Sequence, residues 1–271
     1  MTLTYTRTAA DKHSHNNFLA VLQLPPLLAG HPFIADPFWL EKFASHAVVP
    51  ESITYQGNHR LGFFYQWLWQ QLIIHHPHYE LVAEEIQLHV DGKTVGAIDF
   101  LVTNSLTGQL EHWEVAIKFY LALGNSWPGP NAQDNLDKKA HRMLTHQLML
   151  SHHSAYQQQL HHYYGQPAVK RLIMQGRLFF STNKSNIGSD ITINPSASTG
   201  QWCYAADSAH LTLQAIAKTD WIAPPPYSAL CATPVLTTIS HPTMAVAPDD
   251  TIWFVMPDNW PASSMKATDQ A

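Results

Sequence analysis

Three consecutive segments between residues 86 and 120 constrain the fold most strongly, because each has the pattern of a β-strand. Residues 86–90 (Ile-Gln-Leu-His-Val) alternate apolar and polar side chains, which is typical of a strand with one buried face. Asp91-Gly92 follows, and this dipeptide favours the tight turn of a hairpin. Residues 95–102 form the returning strand, and residues 110–120 form a third strand after another turn. The sequence therefore predicts a three-stranded meander.

Helical patterns flank this meander. Apolar residues recur at three- and four-residue spacing over residues 60–75 and over residues 134–153, which predicts one helix on each side. Residues 172–180 have the pattern of a fourth strand, in which Gly176 marks a bulge. The predicted fold is α/β, with a core in the order helix, three strands, helix, strand. Short apolar runs in residues 181–261 predict a C-terminal β-rich extension.

The length of 271 residues suits one large domain or one domain with an appendage. We divide the chain into an N-terminal helical and loop lead (1–57), the core (58–180) and an extension packed on the core (181–271). No apolar run approaches the roughly 18 residues of a membrane span. The two cysteines, Cys203 and Cys231, have no metal or disulfide spacing. We therefore expect a cytoplasmic protein with no membrane partner.

Basic residues are concentrated in one stretch, although the formal net charge is −5. Between residues 138 and 189 there is no Asp or Glu, and there are seven Lys or Arg residues. Such a segment is either a surface for a polyanion or a solvated helix face without a partner. Four of its cations are candidate contacts for nucleic acid: Lys138, Lys139, Arg142 and Arg177.

Charged side chains interrupt the apolar second and third strands. Asp99 lies between Ile98 and Phe100, and the period of two places Glu114 and Lys118 on one face of the third strand. Two carboxylates on neighbouring strands can hold Mg²⁺, and a lysine can orient or deprotonate a water molecule. A solvated face with a weak salt bridge is the simpler interpretation. The chain contains no P-loop, dinucleotide-binding or serine-hydrolase motif.

The element order and these charged residues resemble the PD-(D/E)XK nuclease superfamily, which has the restriction-endonuclease-like fold. Longer blocks resemble an uncharacterised bacterial family, domain-of-unknown-function family number 1853. The blocks are residues 61–62 (Leu-Gly), 96–102 (Gly-Ala-Ile-Asp-Phe-Leu-Val), 113–120 (Trp-Glu-Val-Ala-Ile-Lys-Phe-Tyr) and 129–131 (Gly-Pro-Asn). The resemblance covers residues 58–180 and implies a nuclease-type core.

The resemblance also implies roles for individual residues. Asp99 and Glu114 would be the magnesium ligands, and Lys118 would be the catalytic lysine. The glutamate that the superfamily often carries on its first helix falls at Gln66, which brings no charge. Gln147, on the second predicted helix, is a candidate contact to a phosphate or a base, or a plain surface residue.

The spacing on the third strand departs from the superfamily pattern, because E-x-x-x-K replaces E-x-K. At about 3.3 Å per residue, the Cα atoms of Glu114 and Lys118 lie about 13 Å apart instead of about 6.6 Å. Three arrangements stay open. Lys118 leans back along the strand, Ala116 takes the usual glutamate position and displaces Glu114, or the amine comes from the next helix. Lys138 and Lys139 are the candidates for that amine.

We therefore expect a Mg²⁺-dependent nuclease, with DNA as the expected substrate. The alternative is a catalytically inactive module of the same fold that binds nucleic acid or protein. Gln66 and the wider lysine spacing favour this alternative. Three glutamates just before the first predicted strand are candidates to replace the missing helix carboxylate: Glu80, Glu84 and Glu85.

Overall fold

The computed structural model describes residues 9–51, 53–181, 189–230 and 239–262. Within these residues the α-helices are α1 (Ala9–Gln23), α2 (Pro37–His46), α3 (Leu61–Ile74), α4 (Leu136–Thr145), α5 (Ser154–Gln159) and α6 (His161–Tyr164). The strands are β1 (Tyr79–Val90), β2 (Lys93–Asn104), β3 (Gln109–Leu121), β4 (Val169–Ser181), β5 (Thr199–Tyr204), β6 (Gln214–Ala215), β7 (Thr243–Val246) and β8 (Ile252–Met256). None of the helices in the described ranges has both the length and the apolar character needed to cross a bilayer.

The strands form one eight-stranded sheet in the order β1-β2-β3-β4-β5-β8-β7-β6. The mixed α/β class is confirmed, and α3, β1, β2, β3, α4 and β4 follow one another along the chain in the predicted order. Strand β1 starts at Tyr79, earlier than its alternating pattern indicated. The candidate glutamates of this region therefore lie inside the strand and not before it.

The helix predicted over residues 134–153 is interrupted. Helix α4 ends at Thr145, and a 3₁₀ helix follows over Gln147–His152. Between them, His146 leaves the helical region with φ −120° and ψ −61°. The side chains of His146 and Gln147 donate hydrogen bonds to carbonyl groups of β2, so tertiary contacts compete with continuation of the helix.

The described residues divide between two compact units. The first is drawn from Met1–Pro26, Gly30–Ile117 and Arg142–Met174, and the second from Leu27–Ala29, Lys118–His141 and Gln175–Ala271. Strands β3 and β4 each run from one unit into the other along the chain. Each compact unit therefore combines several segments of the chain, whereas the domains that we predicted from the sequence are continuous ranges.

In the first unit, β2 pairs antiparallel with both β1 and β3. One buried cluster combines Leu88 and Leu101 with Leu150 of the 3₁₀ helix. Gly96 permits this packing, because a Cβ atom at that position would lie 2.7 Å from Leu150 Cδ1. A separate aromatic cluster surrounds the buried Trp113, whose ring lies 5.1 Å from that of Trp39.

In the second unit, β5 pairs in parallel with β4 and β8, and β7 pairs antiparallel with β8 and β6. Gly176 of β4 has φ +139°, and a Cβ atom there would lie 1.7 Å from the Lys118 carbonyl oxygen. The backbones of β3 and β4 therefore approach closely at this position, which only glycine allows.

Candidate active site

Strands β2 and β3 separate at Asp99 and Glu114. Their paired register runs from Asn104↔Gln109 to Phe100↔Trp113, and Asp99 and Glu114 occupy the next positions. The Asp99 carboxylate accepts a hydrogen bond from the Val115 amide at 2.9 Å, and the Asp99 amide donates to Glu114 Oε1 at 3.4 Å. Side-chain hydrogen bonds thus continue from the point where the strand pairing ends. The structure brings together the two carboxylates that the sequence singled out.

Glu114 is anchored from its own strand by His112. Glu114 is 1% exposed and His112 is fully buried, and His112 Nε2 lies 2.9 Å from Glu114 Oε1. The second ring nitrogen, Nδ1, lies 3.1 Å from Ser151 Oγ on the 3₁₀ helix. Ser151 is also fully buried. A buried chain of polar groups therefore links the 3₁₀ helix to the carboxylate.

Burial lowers the pKa of His112 to about 3; the negative charge of Asp99 raises it and the positive charge of Lys170 lowers it further. The ring is therefore neutral at pH 7 and carries a single N–H. With that proton on Nε2, the ring donates to Glu114 and its Nδ1 accepts from the Ser151 hydroxyl. This tautomer is inferred from the hydrogen-bond network, and it gives each nitrogen of the His112 ring a partner.

The 3₁₀ helix also covers the part of β2 that precedes Asp99. His146 Nε2 lies 3.0 Å from the Val95 carbonyl oxygen, and Gln147 Nε2 donates to the Ala97 carbonyl at 3.3 Å. Gln147 Oε1 is buried and has no hydrogen-bond partner among the described residues. Because alternate strand residues share a face, Ala97 and Asp99 lie on the same side of β2. Gln147, with its unsatisfied oxygen, therefore contacts β2 two residues before Asp99.

The donor set at this site suits a hard cation. Among the described residues, no group of three or more His, Cys, Asp or Glu side chains is arranged to hold a metal ion. Mg²⁺, however, is usually held by one or two carboxylates, with waters and substrate oxygens completing its shell. Asp99 and Glu114 are two carboxylates that could serve as such ligands, and Gln147 Oε1 is a buried oxygen without a partner among the described residues. These residues fit Mg²⁺ better than Zn²⁺, which prefers nitrogen and sulfur ligands.

Gln66 of α3 contacts a carboxylate of β1. Its Nε2 atom donates to Glu85 Oε1 at 3.3 Å. The pairs that flank this position in the β1–β2 register place Glu85 opposite Asp99. Glu85 is exposed and has φ +48°, which interrupts the regular alternation of the strand. The hydrogen bond from Gln66 therefore holds a glutamate of β1 against α3.

Lys118 has a different partner from the one that the catalytic role implies. Its Nζ atom donates to Asp134 Oδ2 at 2.5 Å, and Tyr120 donates to the other oxygen of Asp134 at 3.3 Å. Asp134 is held by the turn that follows Gly129, through hydrogen bonds to Gly129 and Asn131. Lys118 and the Gly-Pro-Asn block thus belong to one arrangement in the second unit. The catalytic role of Lys118 stays a prediction.

The candidate nucleic-acid contacts differ in exposure. Lys138 and Arg142 are exposed on α4 and four residues apart, so they share a face of the helix; Lys139 is partly buried. Arg177 of β4 is partly buried, donates to the Thr199 carbonyl at 2.8 Å, and has its pKa lowered by burial. Helix α4 therefore presents the most accessible of the four cations.

A second buried carboxylate, Glu111, lies on the opposite face of β3. Its Oε2 atom accepts from Trp113 Nε1 at 2.8 Å and from Arg171 Nε at 2.9 Å, and its Oε1 atom accepts from Asn104 at 3.2 Å. The Arg171 guanidinium lies 4.3 Å from the centre of the Trp39 ring. Glu111 is therefore the centre of a buried ion-pair network.

Sequence reasoning did not assign a role to several of these residues. The period of two puts His112 on the same face of β3 as Glu114, so the sequence contains a usable signal for this contact. Ser151 gave no signal, because its position depends on the break at His146. Arg171 was counted only within the basic stretch, since its partner Glu111 is 60 residues away in the chain.

Residues 9–247 match the family described as Domain of unknown function (DUF1853). This range contains α1 to β7 and every residue of the candidate site. No curated protein and no solved structure matches the chain.

Proposed function

The chain belongs to the DUF1853 family, and from its site we propose that it is a Mg²⁺-dependent phosphodiesterase that cleaves nucleic acid, with DNA as the substrate. The observation that carries the proposal is the juxtaposition of Asp99 and Glu114 where β2 and β3 separate. The proposal includes a restriction-endonuclease-like core, which the succession of α3, β1, β2, β3, α4 and β4 supports.

In this proposal Asp99 and Glu114 hold the ion, and Gln147 Oε1 is a third oxygen for the ion or its water shell. Bound Mg²⁺ supplies charge neutralisation at the phosphate and lowers the pKa of a coordinated water. The protein contributes preorganisation, because the hydrogen bonds from His112 and from the Asp99 amide fix Glu114 Oε1 in place. Lys118 is not needed for this ligand set.

The substrate class rests on the charges of helix α4. Lys138 and Arg142 are exposed and share one face, and their side chains have no hydrogen-bond or ion-pair partner among the described residues, so they can neutralise successive phosphates. Lys139 lies between them in the chain. Arg177 donates to a backbone carbonyl and contributes less to binding in this proposal.

A cleavage assay on the full chain tests the proposal. A labelled DNA duplex is incubated with Mg²⁺ or Mn²⁺, and separately with EDTA. We expect cleavage only with the metal, and a rate lower by about 10²-fold or more in Asp99→Asn and Glu114→Gln, because a catalytic metal contributes several kcal/mol. Calorimetry should show that the same variants weaken Mg²⁺ binding.

Glu80→Gln is the matched control, because Glu80 is an exposed carboxylate of β1 and the charge change is the same. It should retain both cleavage and metal binding. Lys118→Met, assayed in parallel, tests the catalytic role predicted for that lysine. Metal-dependent cleavage that persists in Asp99→Asn and Glu114→Gln would remove this site from the reaction.

A catalytically inactive module of the same fold is the second candidate. The ion pair between Lys118 and Asp134 and the uncharged Gln66 favour it, because both depart from the superfamily pattern. Such a module would bind a DNA duplex or a protein with equal affinity in Mg²⁺ and in EDTA. Asp99→Asn would leave that binding unchanged, and no cleavage would be detected with either metal.

A further inference from the structure

A second polar pocket lies on the Glu111 face of β3, within the first unit. Its volume is ≈ 110 Å³, and it is lined by residues of α2, the start of β1, the turn between β2 and β3, and β4. Pockets that enclose drug-sized ligands measure about 300–1,000 Å³, so this one suits a ligand of only a few atoms. The residues that carry the argument are Trp39, Lys42, Tyr79, Asn104 and Arg171.

The Arg171 side chain is held in one orientation. Its Nε atom donates to the buried Glu111 at 2.9 Å, and its guanidinium lies 4.3 Å from the centre of the Trp39 ring. The two terminal nitrogens have no acceptor among the residues that the structure describes. The guanidinium is therefore fixed on one edge, and a pair of donors at its other end is unused. This geometry matches two oxygens of an oxyanion.

Tyr79 supplies another unused donor. Its hydroxyl oxygen accepts hydrogen bonds from Trp39 Nε1 at 3.1 Å and from Asn104 Nδ2 at 3.4 Å. Because both contacts use the oxygen as an acceptor, the hydroxyl hydrogen stays available, and no acceptor for it occurs in the described part of the chain. The same Asn104 amide also donates to Glu111. Glu111 thus positions two of the residues that line the pocket.

The charged side chains that line the pocket are both cations, Lys42 and Arg171. The lining also contains three histidines, and it contains no Asp or Glu. Lys42 is exposed and has no acidic partner among the described residues. No carboxylate lines the pocket, and the Glu111 carboxylate, which binds Arg171, accepts three hydrogen bonds of its own.

We propose that this pocket is a binding site for a small oxyanion, and for phosphate in particular, with Arg171 and Tyr79 as its main donors and Lys42 at its rim. Phosphate has enough acceptor oxygens to meet the arginine pair, the phenol and the ammonium group together, whereas a carboxylate has two oxygens. The site is on the other face of β3 from Glu114. It therefore does not depend on the proposed nuclease activity.

Titration calorimetry on the full chain, without divalent cations and at constant ionic strength, tests this site. The probes are inorganic phosphate, acetate and dimethyl phosphate. We expect saturable binding of one phosphate per chain and weaker binding of acetate. Tyr79→Phe and Arg171→Gln should each weaken phosphate binding by about tenfold or more, since each removes donors to an anion. Lys42→Gln should weaken it by about threefold.

Lys170→Gln is the matched control, because Lys170 neighbours Arg171 but contacts Met149 and the Phe33 ring instead of the pocket. It should change phosphate binding less than twofold. Arg171→Gln leaves Glu111 buried without its cation and is expected to lower stability, so circular dichroism must show a folded protein before its titration is interpreted. Tyr79→Phe keeps the ring and the Glu111 network, so its titration can be interpreted without the circular dichroism check.

Absence of saturable phosphate binding would overturn the assignment. Phosphate binding that Tyr79→Phe and Lys170→Gln change equally would also overturn it, because the anion would then lie elsewhere. Tighter binding of dimethyl phosphate than of inorganic phosphate would support the site and identify a phosphodiester as its natural source. The opposite preference would support it as a site for free phosphate.

Discussion

Two glutamates three residues apart on β3 have opposite environments, although each is only 1% exposed. Glu111 accepts hydrogen bonds from the side chains of Trp113, Asn104 and Arg171, and one of these donors is a cation. Glu114, on the other face, contacts the neutral His112 ring and the amide of Asp99. Asp99 brings a second carboxylate to the same place.

The difference separates a structural carboxylate from a candidate catalytic one. A buried carboxylate with a guanidinium and two further donors is compensated within the fold, so its function is to hold strands and α2 residues in place. Two carboxylates in one site repel each other, and a bound divalent cation relieves the repulsion. Burial by itself therefore does not identify the functional glutamate; the chemistry of its neighbours does.

The largest expected effect is on stability and concerns Glu111. Glu111→Gln removes one partner of a buried ion pair and leaves Arg171 uncompensated, so we expect the free energy of unfolding to fall by about 3–5 kcal/mol. Glu114→Gln in metal-free protein should cost less, since the hydrogen bonds described for Glu114 come from the neutral His112 ring and from a backbone amide. Urea denaturation of both variants measures the difference, and equal losses would contradict the distinction between the two sites.

The next effect is stabilisation by metal. A ligand that binds only the folded state stabilises it by about 2.7 kcal/mol at a concentration of 100 times its Kd. We expect Mg²⁺ to raise the unfolding free energy of the wild type in this way and to have no such effect on Asp99→Asn or Glu114→Gln. The Glu80→Gln control should respond like the wild type. A wild-type protein that Mg²⁺ fails to stabilise would argue against the carboxylate pair as its site.

The pH dependence of stability reports on His112. Its pKa is lowered to about 3 in the folded protein, so between that value and about 6.5 the unfolded chain binds a proton that the folded chain does not. The contribution of His112 to stability is complete above about pH 6.5 and is lost as the pH falls towards 3, with a slope of up to about 1.4 kcal/mol per pH unit. His112→Gln should reduce the slope between pH 7 and pH 5 in metal-free protein. If the stability of the variant and of the wild type changed with pH by the same slope, this prediction would be wrong.

The smallest effect concerns Ser151. Ser151→Ala removes the hydroxyl that donates to His112 Nδ1, and we expect a loss of about 1 kcal/mol in the free energy of unfolding. The ¹⁵N spectrum should show His112 protonated on Nε2 in the wild type, with this preference weakened in the variant. Ser154→Ala, at an exposed position nearby, should change stability by less than about 0.5 kcal/mol. An Nδ1-protonated ring in the wild type would rule out the inferred hydrogen-bond chain.

Local patterns predicted the elements that form the candidate site, and the errors in their bounds have physical causes. Strict alternation and the Asp91-Gly92 turn identified β1 and β2, and the period of two identified the face of Glu114. The start of β1 was placed too late, because the positive φ of Glu85 interrupts the alternation. The break at His146 was missed, since the segment has helical spacing throughout and the break follows from contacts with β2.

The sequence by itself determined which residues alternate along each strand and placed Asp99 and Glu114 on adjacent strands. These properties depend on near neighbours in the chain, where periodicity carries the information. Only the tertiary structure decided the partners: Arg171 for Glu111, Ser151 for His112 and Asp134 for Lys118. Those partners are 60, 39 and 16 residues away in the chain, and no local pattern encodes which distant side chain will satisfy a buried charge.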